Sequence, residues 1–138
     1  MAKYLSFRHC FICGWDNPEG LHIPVEEGEG TARAEWVADA NHCGYNDIVH
    51  GGILVALMDD VMAHALCSLD LDTVTAHLEV DYRSPAHIGD KLVITGELVE
   101  RGTGRALRTK GRITCEDRVI AECTSVMVIV KKEQVTTT

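Results

Sequence analysis

Two hydrophobic periods divide this chain. Between Ile53 and Leu66, apolar residues fall on nearly every side of a helical projection, which predicts a buried helix over residues 52–68. Elsewhere the pattern alternates. Over residues 31–37, Ala32, Ala34 and Trp36 face one way, and Thr31, Arg33 and Glu35 the other. Over residues 73–83, Val74, Ala76, Leu78, Val80 and Tyr82 share one face, with Thr75, His77, Glu79 and Asp81 opposite. Residues 91–100 and 105–115 read as two further strands. Residues 119–130 read as a long last strand, apolar on both faces. A short edge strand, interrupted by Pro24, is expected over 21–25. Residues 1–30 are otherwise an irregular lead-in, 38–50 a polar loop and 131–138 a frayed tail.

The turns at Gly89-Asp90, Arg101-Gly102-Thr103-Gly104 and Glu116-Asp117 are short, so consecutive strands are antiparallel neighbours. A helix apolar all round needs a sheet curled about it. The expectation is an α+β fold, one curved antiparallel sheet wrapped around one long buried helix, as a single domain over residues 1–138.

The helix carries chemistry that a core helix would avoid. His50-Gly51-Gly52 opens it, leaving the first backbone N–H groups able to meet a ligand. Asp59 and Asp60 lie in its middle, and carboxylates are costly to bury. An oxyanion site at the turn and a buried acid as base suit attack on a carbonyl or thioester. Asp60 stands one turn before His64, a spacing that favours an ion pair over catalysis.

Composition narrows the partners. Of 138 residues, 46% are hydrophobic and 25% charged, as in ordinary globular protein. The net charge of −8, from 21 acidic against 13 basic residues, excludes general nucleic-acid binding. No apolar run is long enough for a membrane span, and the first ten residues lack the apolar core of a signal peptide. A cytoplasmic protein with reduced cysteines is expected. Cys10-x-x-Cys13 is half of a zinc site, which His9, His22, His42 or Cys43 would have to complete. With no second such pair, it reads as two small buried thiols; no metal and no cofactor are assigned.

His50-Gly51-Gly52 with Asp59, the run from Tyr82 through Pro85 to Asp90, and the lead-in from Cys10 to Leu21 carry a resemblance. The chain resembles the hotdog-fold acyl-CoA thioesterases of the phenylacetyl-CoA type, within the 4-hydroxybenzoyl-CoA thioesterase superfamily. The resemblance implies acyl-CoA hydrolysis. It puts the catalytic acid on Asp59, the oxyanion donor on the Gly51 N–H, a small hydroxyl on Thr75 and the turn-ordering histidine on His50. Many relatives place an asparagine where this chain has Gly44; Asn46 is the candidate to take over its contact with substrate.

Gly51 and Asp59 are eight residues apart, about 12 Å along a helix. One substrate carbon cannot touch both groups of the same helix. Two antiparallel copies can supply one group each, so a homodimer, or a homotetramer built as a dimer of dimers, is expected. The phosphates of CoA need a local basic patch. Arg101, Gly102, Thr103, Gly104 and Arg105 form a basic, glycine-rich turn suited to them, with Arg83 and Gly52 as further contacts. Arg108, Lys110 and Arg112 read as a solvated strand face that extends this patch. Met58, Met62, Leu66 and Trp36 suggest an adaptable apolar pocket. The competing function is a non-catalytic acyl-CoA binding or sensing protein. A hotdog hydratase ranks below it, since no proline precedes the helix, as does a zinc-dependent interaction module.

Overall fold

The computed structural model describes residues 5–130. The predicted tail lies outside them. A six-stranded antiparallel sheet is ordered β1-β2-β6-β7-β8-β5, with β1 Val25–Glu27, β2 Thr31–Val37, β5 Thr73–Tyr82, β6 Lys91–Arg101, β7 Ala106–Cys115 and β8 Arg118–Ile129. One helix, α1 Gly51–Cys67, packs on its inner face. The polar loop holds more structure than expected: a 3-10 turn at Ala40–His42 and a small hairpin of β3 Cys43–Tyr45 with β4 Ile48–Val49. The edge strand also falls later than Pro24 suggested. Pro24 lacks a ladder donor, so pairing begins at Val25 against Ala34 and turns through Gly28 to Gly30.

The helix has defined ends. His50 caps its start, Nδ1 accepting the Gly52 N–H at 2.9 Å. At the other end Asp70 takes the left-handed conformation, with φ +61°. The Leu71 N–H then bonds the Leu66 carbonyl at 3.2 Å, and the Asp70 N–H the Cys67 carbonyl at 2.9 Å. This is a Schellman closure.

Leu57, Met58, Val61, Met62, Ala65 and Leu66 are fully buried against Leu92, Ile94, Leu107, Ile113, Ile120 and Met127. Each large apolar side chain so buried contributes about 1.5–3 kcal/mol. The crossing is close. A Cβ on Gly96 would stand 2.9 Å from the Met62 backbone nitrogen and 3.0 Å from its Cα.

The helix is not buried all round. Gly52 is exposed, and Ile53, Ala56, Asp59, Ala63 and Cys67 are only half-buried. The sheet covers one face and leaves this stripe open. On the same side, β5 ends the sheet, its outer edge unpaired among the described residues. Among the described residues no helix is long and apolar enough to cross a membrane.

Candidate active site

Asp59 is half-buried on the open stripe of α1, not inside the core as expected. Its Oδ1 accepts a hydrogen bond from Thr75 Oγ1 at 2.6 Å. Unbroken alternation put Thr75 on the face opposite Leu78, Val80 and Tyr82. The register of β5 against β8 shows why it lies with them instead. Thr75 faces Met127 while His77 faces Val126, so Ala76 is an extra residue in the strand. This β-bulge reverses the alternation. Thr75, opposite buried Met127, therefore shares the helix side with Leu78, Val80 and Tyr82, which oppose Ser125, Cys123 and Ala121. Val74 and His77 point away from the helix.

The helix start is organised by three residues. His50 holds the Gly52 N–H, as its role in ordering the turn requires. The Gly51 N–H sits at the first helical position, where a helix supplies no internal acceptor. Tyr82, which sequence reasoning gave no role, donates from its hydroxyl to the Gly51 carbonyl at 2.9 Å. Alternation put Tyr82 on the face of Leu78 and Val80, and the packing of β5 beside α1 brings that face to the helix start. Gly44 also has a local reason to be glycine, since a Cβ would stand 3.3 Å from His50 Cα. Asn46 is exposed, in the β3–β4 turn.

The basic turn from Arg101 to Arg105 is exposed at the tip of the β6–β7 hairpin. Pairing sets Arg101 opposite Leu107, Leu107 opposite Met127 and Met127 opposite Thr75. The turn thus begins in the same cross-strand row as Thr75, three strand spacings or about 14 Å away. Arg83 is less free than expected, bonding Glu122 at 3.3 Å and standing 3.7 Å from Asp81. Of the Arg108-Lys110-Arg112 stripe, Arg108 pairs with Glu100 at 3.2 Å and Arg112 with Glu122 at 2.7 Å. Arg112 and Arg83 hold Glu122 below the ordinary carboxylate range, chiefly through the hydrogen bond from Arg112. A cleft of about 590 Å³ over the outer sheet face is lined by Arg33, Thr95, Glu97, Lys110 and Arg112, away from Asp59.

Asp60 is the buried acid. Cys10 Sγ lies 3.2 Å and Cys13 Sγ 3.4 Å from its Oδ1. Burial pushes its carboxyl above the ordinary range, and burial followed by the Asp60 charge pushes the Cys13 thiol up. The expected partner His64 is at 3.8 Å, Nε2 to Oδ2, and bonds Glu27 through Nδ1 at 2.7 Å. The residues meeting the Cys10-x-x-Cys13 pair are thus Asp60 and His64. His22, His42 and Cys43 find other neighbours in Asn17, Asp39 and Ala40.

Residues 46–122 match the family described as the thioesterase superfamily. The chain belongs to this superfamily. Acyl-coenzyme A thioesterase 13 of Mus musculus is 26% identical over 93 residues, 61% of this chain and 66% of that protein. The chain therefore spans a little under two thirds of that relative's length. A solved thioesterase superfamily protein is 27% identical, covers 88% of this chain and 60% of its own, and superposes with a TM-score of 0.81. A hypothetical thioesterase from Streptococcus pneumoniae, solved with coenzyme A, is 24% identical at a TM-score of 0.73, over 78% of this chain and 85% of that one. The helix-in-sheet architecture is the hotdog fold of these thioesterases.

Proposed function

We propose that this superfamily member hydrolyses acyl-CoA thioesters to the free acid and CoA, at a site shared by two copies of the chain. The observation that carries this reading is the 2.6 Å bond from Thr75 to Asp59 on an uncovered helix face. A carboxylate so placed has one oxygen fixed and the other free to take a proton from water. The thioester oxygen rests on the Gly51 N–H, where the helix dipole favours developing negative charge. Asp59 either deprotonates the attacking water or attacks the carbonyl itself, giving a mixed anhydride that water then opens. In both routes the C–S bond breaks and the CoA sulfur leaves as thiolate, taking up a proton. The pneumococcal neighbour has also been solved with an aspartate and a threonine each replaced by alanine, at the same sequence separation as Asp59 and Thr75. That correspondence supports the pair.

Two copies are needed because Gly51 and Asp59 stand about 12 Å apart along one helix. The half-exposed stripe of α1 and the open edge of β5, with Val74 53% and Tyr82 55% exposed, form the surface a second copy covers. A homodimer is the working unit, alone or as half of a tetramer. Asn46 contacts the substrate carbonyl or the water beside Gly52. The Arg101–Arg105 turn meets CoA phosphates, with Arg83 released from Glu122 to join it. The pneumococcal neighbour's CoA complex supports this ligand class. A reducing cytoplasm suits the chain's thiols.

The test is an assay of the purified protein on acetyl- to palmitoyl-CoA, phenylacetyl-CoA and benzoyl-CoA, beside Asp59→Ala. Loss of thioester absorbance is followed directly. Turnover that falls by about 10²-fold or more in the variant is expected. Binding of these thioesters with no turnover would establish the sensing function instead.

A further inference from the structure

Among the described residues, the catalytic reading leaves a cluster of ligand-type side chains unused. Cys10, Cys13 and Asp60 bring two sulfurs and a carboxylate oxygen within 4.8 Å of one another. His64 Nε2 adjoins them, 3.2 Å from Cys13 Sγ and 3.8 Å from Asp60 Oδ2. We infer that Cys10, Cys13, Asp60 and His64 form a zinc site that clamps the N-terminal lead-in to the middle of α1.

The spacings fit. Around tetrahedral zinc, with Zn–S about 2.3 Å and Zn–N or Zn–O about 2.0 Å, neighbouring ligand atoms stand roughly 3.3–3.8 Å apart. Cys10 Sγ and Cys13 Sγ stand 3.2 Å and 3.4 Å from Asp60 Oδ1, and Cys13 Sγ stands 3.2 Å from His64 Nε2; His64 Nε2 meets Asp60 at its other oxygen, Oδ2, at 3.8 Å, so the imidazole joins the three-residue group by a small shift toward it. Two thiolates, an imidazole and a carboxylate are a donor set for zinc rather than for magnesium or calcium. With His64 as the fourth ligand the coordination sphere closes, which marks a structural site.

Three independent features support it. Asp60 Oδ2 is buried with no hydrogen-bond partner, which costs free energy unless something positive meets it. The far nitrogen of His64 is already held, Nδ1 to Glu27 Oε2 at 2.7 Å, the carboxylate–histidine contact that orients a metal ligand. Phe7 stacks on the same ring at 3.9 Å between centroids. The loop is also shaped around Cys10 Sγ, which faces the backbone N–H groups of Ile12 at 3.3 Å and Cys13 at 3.5 Å. Gly14 closes that loop, and any side chain there would collide with the Cys10 backbone.

The consequence is mechanical. Residues 5–24 form no strand or helix, and a metal gives this stretch an anchor it cannot obtain from regular pairing. The anchor point, Asp60, is the immediate neighbour of Asp59. The ion completes the folded lead-in and takes no part in the reaction.

The experiment measures metal directly in the whole chain, purified without chelator and kept reduced with a phosphine. About one zinc per chain is expected by mass spectrometry of the acid digest. Replacing it with Co²⁺ should give the tetrahedral visible bands and a thiolate-to-cobalt charge-transfer band. Cys13→Ser should lose both, and His64→Ala should shift the visible spectrum and weaken retention. Stripping the wild-type ion with a strong chelator should lower its melting temperature by roughly 5 °C or more, while leaving Cys10→Ser/Cys13→Ser unmoved. Reduced wild-type protein that retains less than about 0.1 zinc per chain after incubation with zinc and dialysis, and shows no charge-transfer band with Co²⁺, overturns the site. So does a full equivalent of zinc retained by the double-serine variant. Neither wild-type readout depends on the variants folding.

Discussion

Gly51→Pro isolates the oxyanion donor with little else disturbed. Gly51 is the first residue of α1, and His50 before it sits at φ −58° and ψ 127°. That extended conformation is the one a residue preceding proline adopts. Proline is at home at the first helical position, where its missing N–H costs the helix nothing. A Cβ there would stand 3.2 Å from the Tyr82 hydroxyl oxygen, so that ring must give by a few tenths of an ångström. The substitution thus removes one N–H and keeps the helix. Loss of one oxyanion donor is worth about 2.7–4 kcal/mol of barrier, so kcat should fall about 10²–10³-fold. The assay is the direct loss of thioester absorbance, since the chain's six cysteines would consume a thiol dye. Gly52→Pro is the contrast: it removes the N–H that His50 accepts at 2.9 Å, so its main effect should be a stability loss of about 1 kcal/mol. A folded Gly51→Pro protein whose kcat/KM stays within about threefold of wild type would refute the oxyanion role. Co-expressing Gly51→Pro with Asp59→Ala then tests the shared site. Half of the dimers are mixed and each carries one intact site of two, so about a quarter of wild-type activity should return. Recovery no greater than the sum of the single variants would place both groups within one chain.

Thr75→Ala removes a hydrogen bond to a charged group worth about 1.5–3 kcal/mol, so kcat/KM should fall about 10–150-fold. Thr75→Ser should restore most of it, and the alanine change should cost nothing further in an Asp59→Ala background, a cycle read from kinetics. Gly96→Ala drives a methyl group to within 2.9 Å of the Met62 nitrogen and should destabilise by about 1–3 kcal/mol, seen as a lower melting temperature with activity per folded molecule retained. An unchanged midpoint would show that helix and sheet separate freely there. For acid stability, Glu122 matters through Arg112 and, less, Arg83, which hold its carboxyl below the ordinary 4.5. A depressed folded value gives stability that is present above the unfolded value and lost as pH falls through the folded one. Wild type should therefore melt slightly above Glu122→Gln at neutral pH, and the gap should close below about pH 4. A gap that widens in acid would reverse the sign of this linkage.

The elements were largely legible because each follows from a local period. Alternation placed β2, β6 and β7, a run apolar on both faces placed β8, and the all-round apolar run placed α1. The turn-ordering role of His50 was legible for the same reason, since it acts on the amide two residues ahead. Alternation failed where one residue was added. The bulge at Ala76 is a property of the pairing between β5 and β8, and it moves Thr75 to the helix side that Leu78, Val80 and Tyr82 share, without any change in composition. Of the two adjacent acids, Asp60 is buried as a core helix implied, and Asp59 is not. A helix turns neighbouring residues about 100° apart. One then faces the open stripe, the other the Cys10-x-x-Cys13 loop.

By itself, then, the sequence determined what repeats locally: one buried helix, antiparallel strands joined by short turns, a glycine-rich helix start and an acid within that helix. These depend on neighbours a few residues away, and so they appear as periods and spacings. Only the tertiary structure decided which acid is open and which is buried, that Thr75 reaches Asp59, that Tyr82 braces Gly51, and that Asp60 and His64 complete the pair begun by Cys10 and Cys13. Each of those contacts joins residues far apart in the chain. They are set by strand register and by the face of a helix a loop happens to meet, neither of which leaves a periodic trace in the order of amino acids.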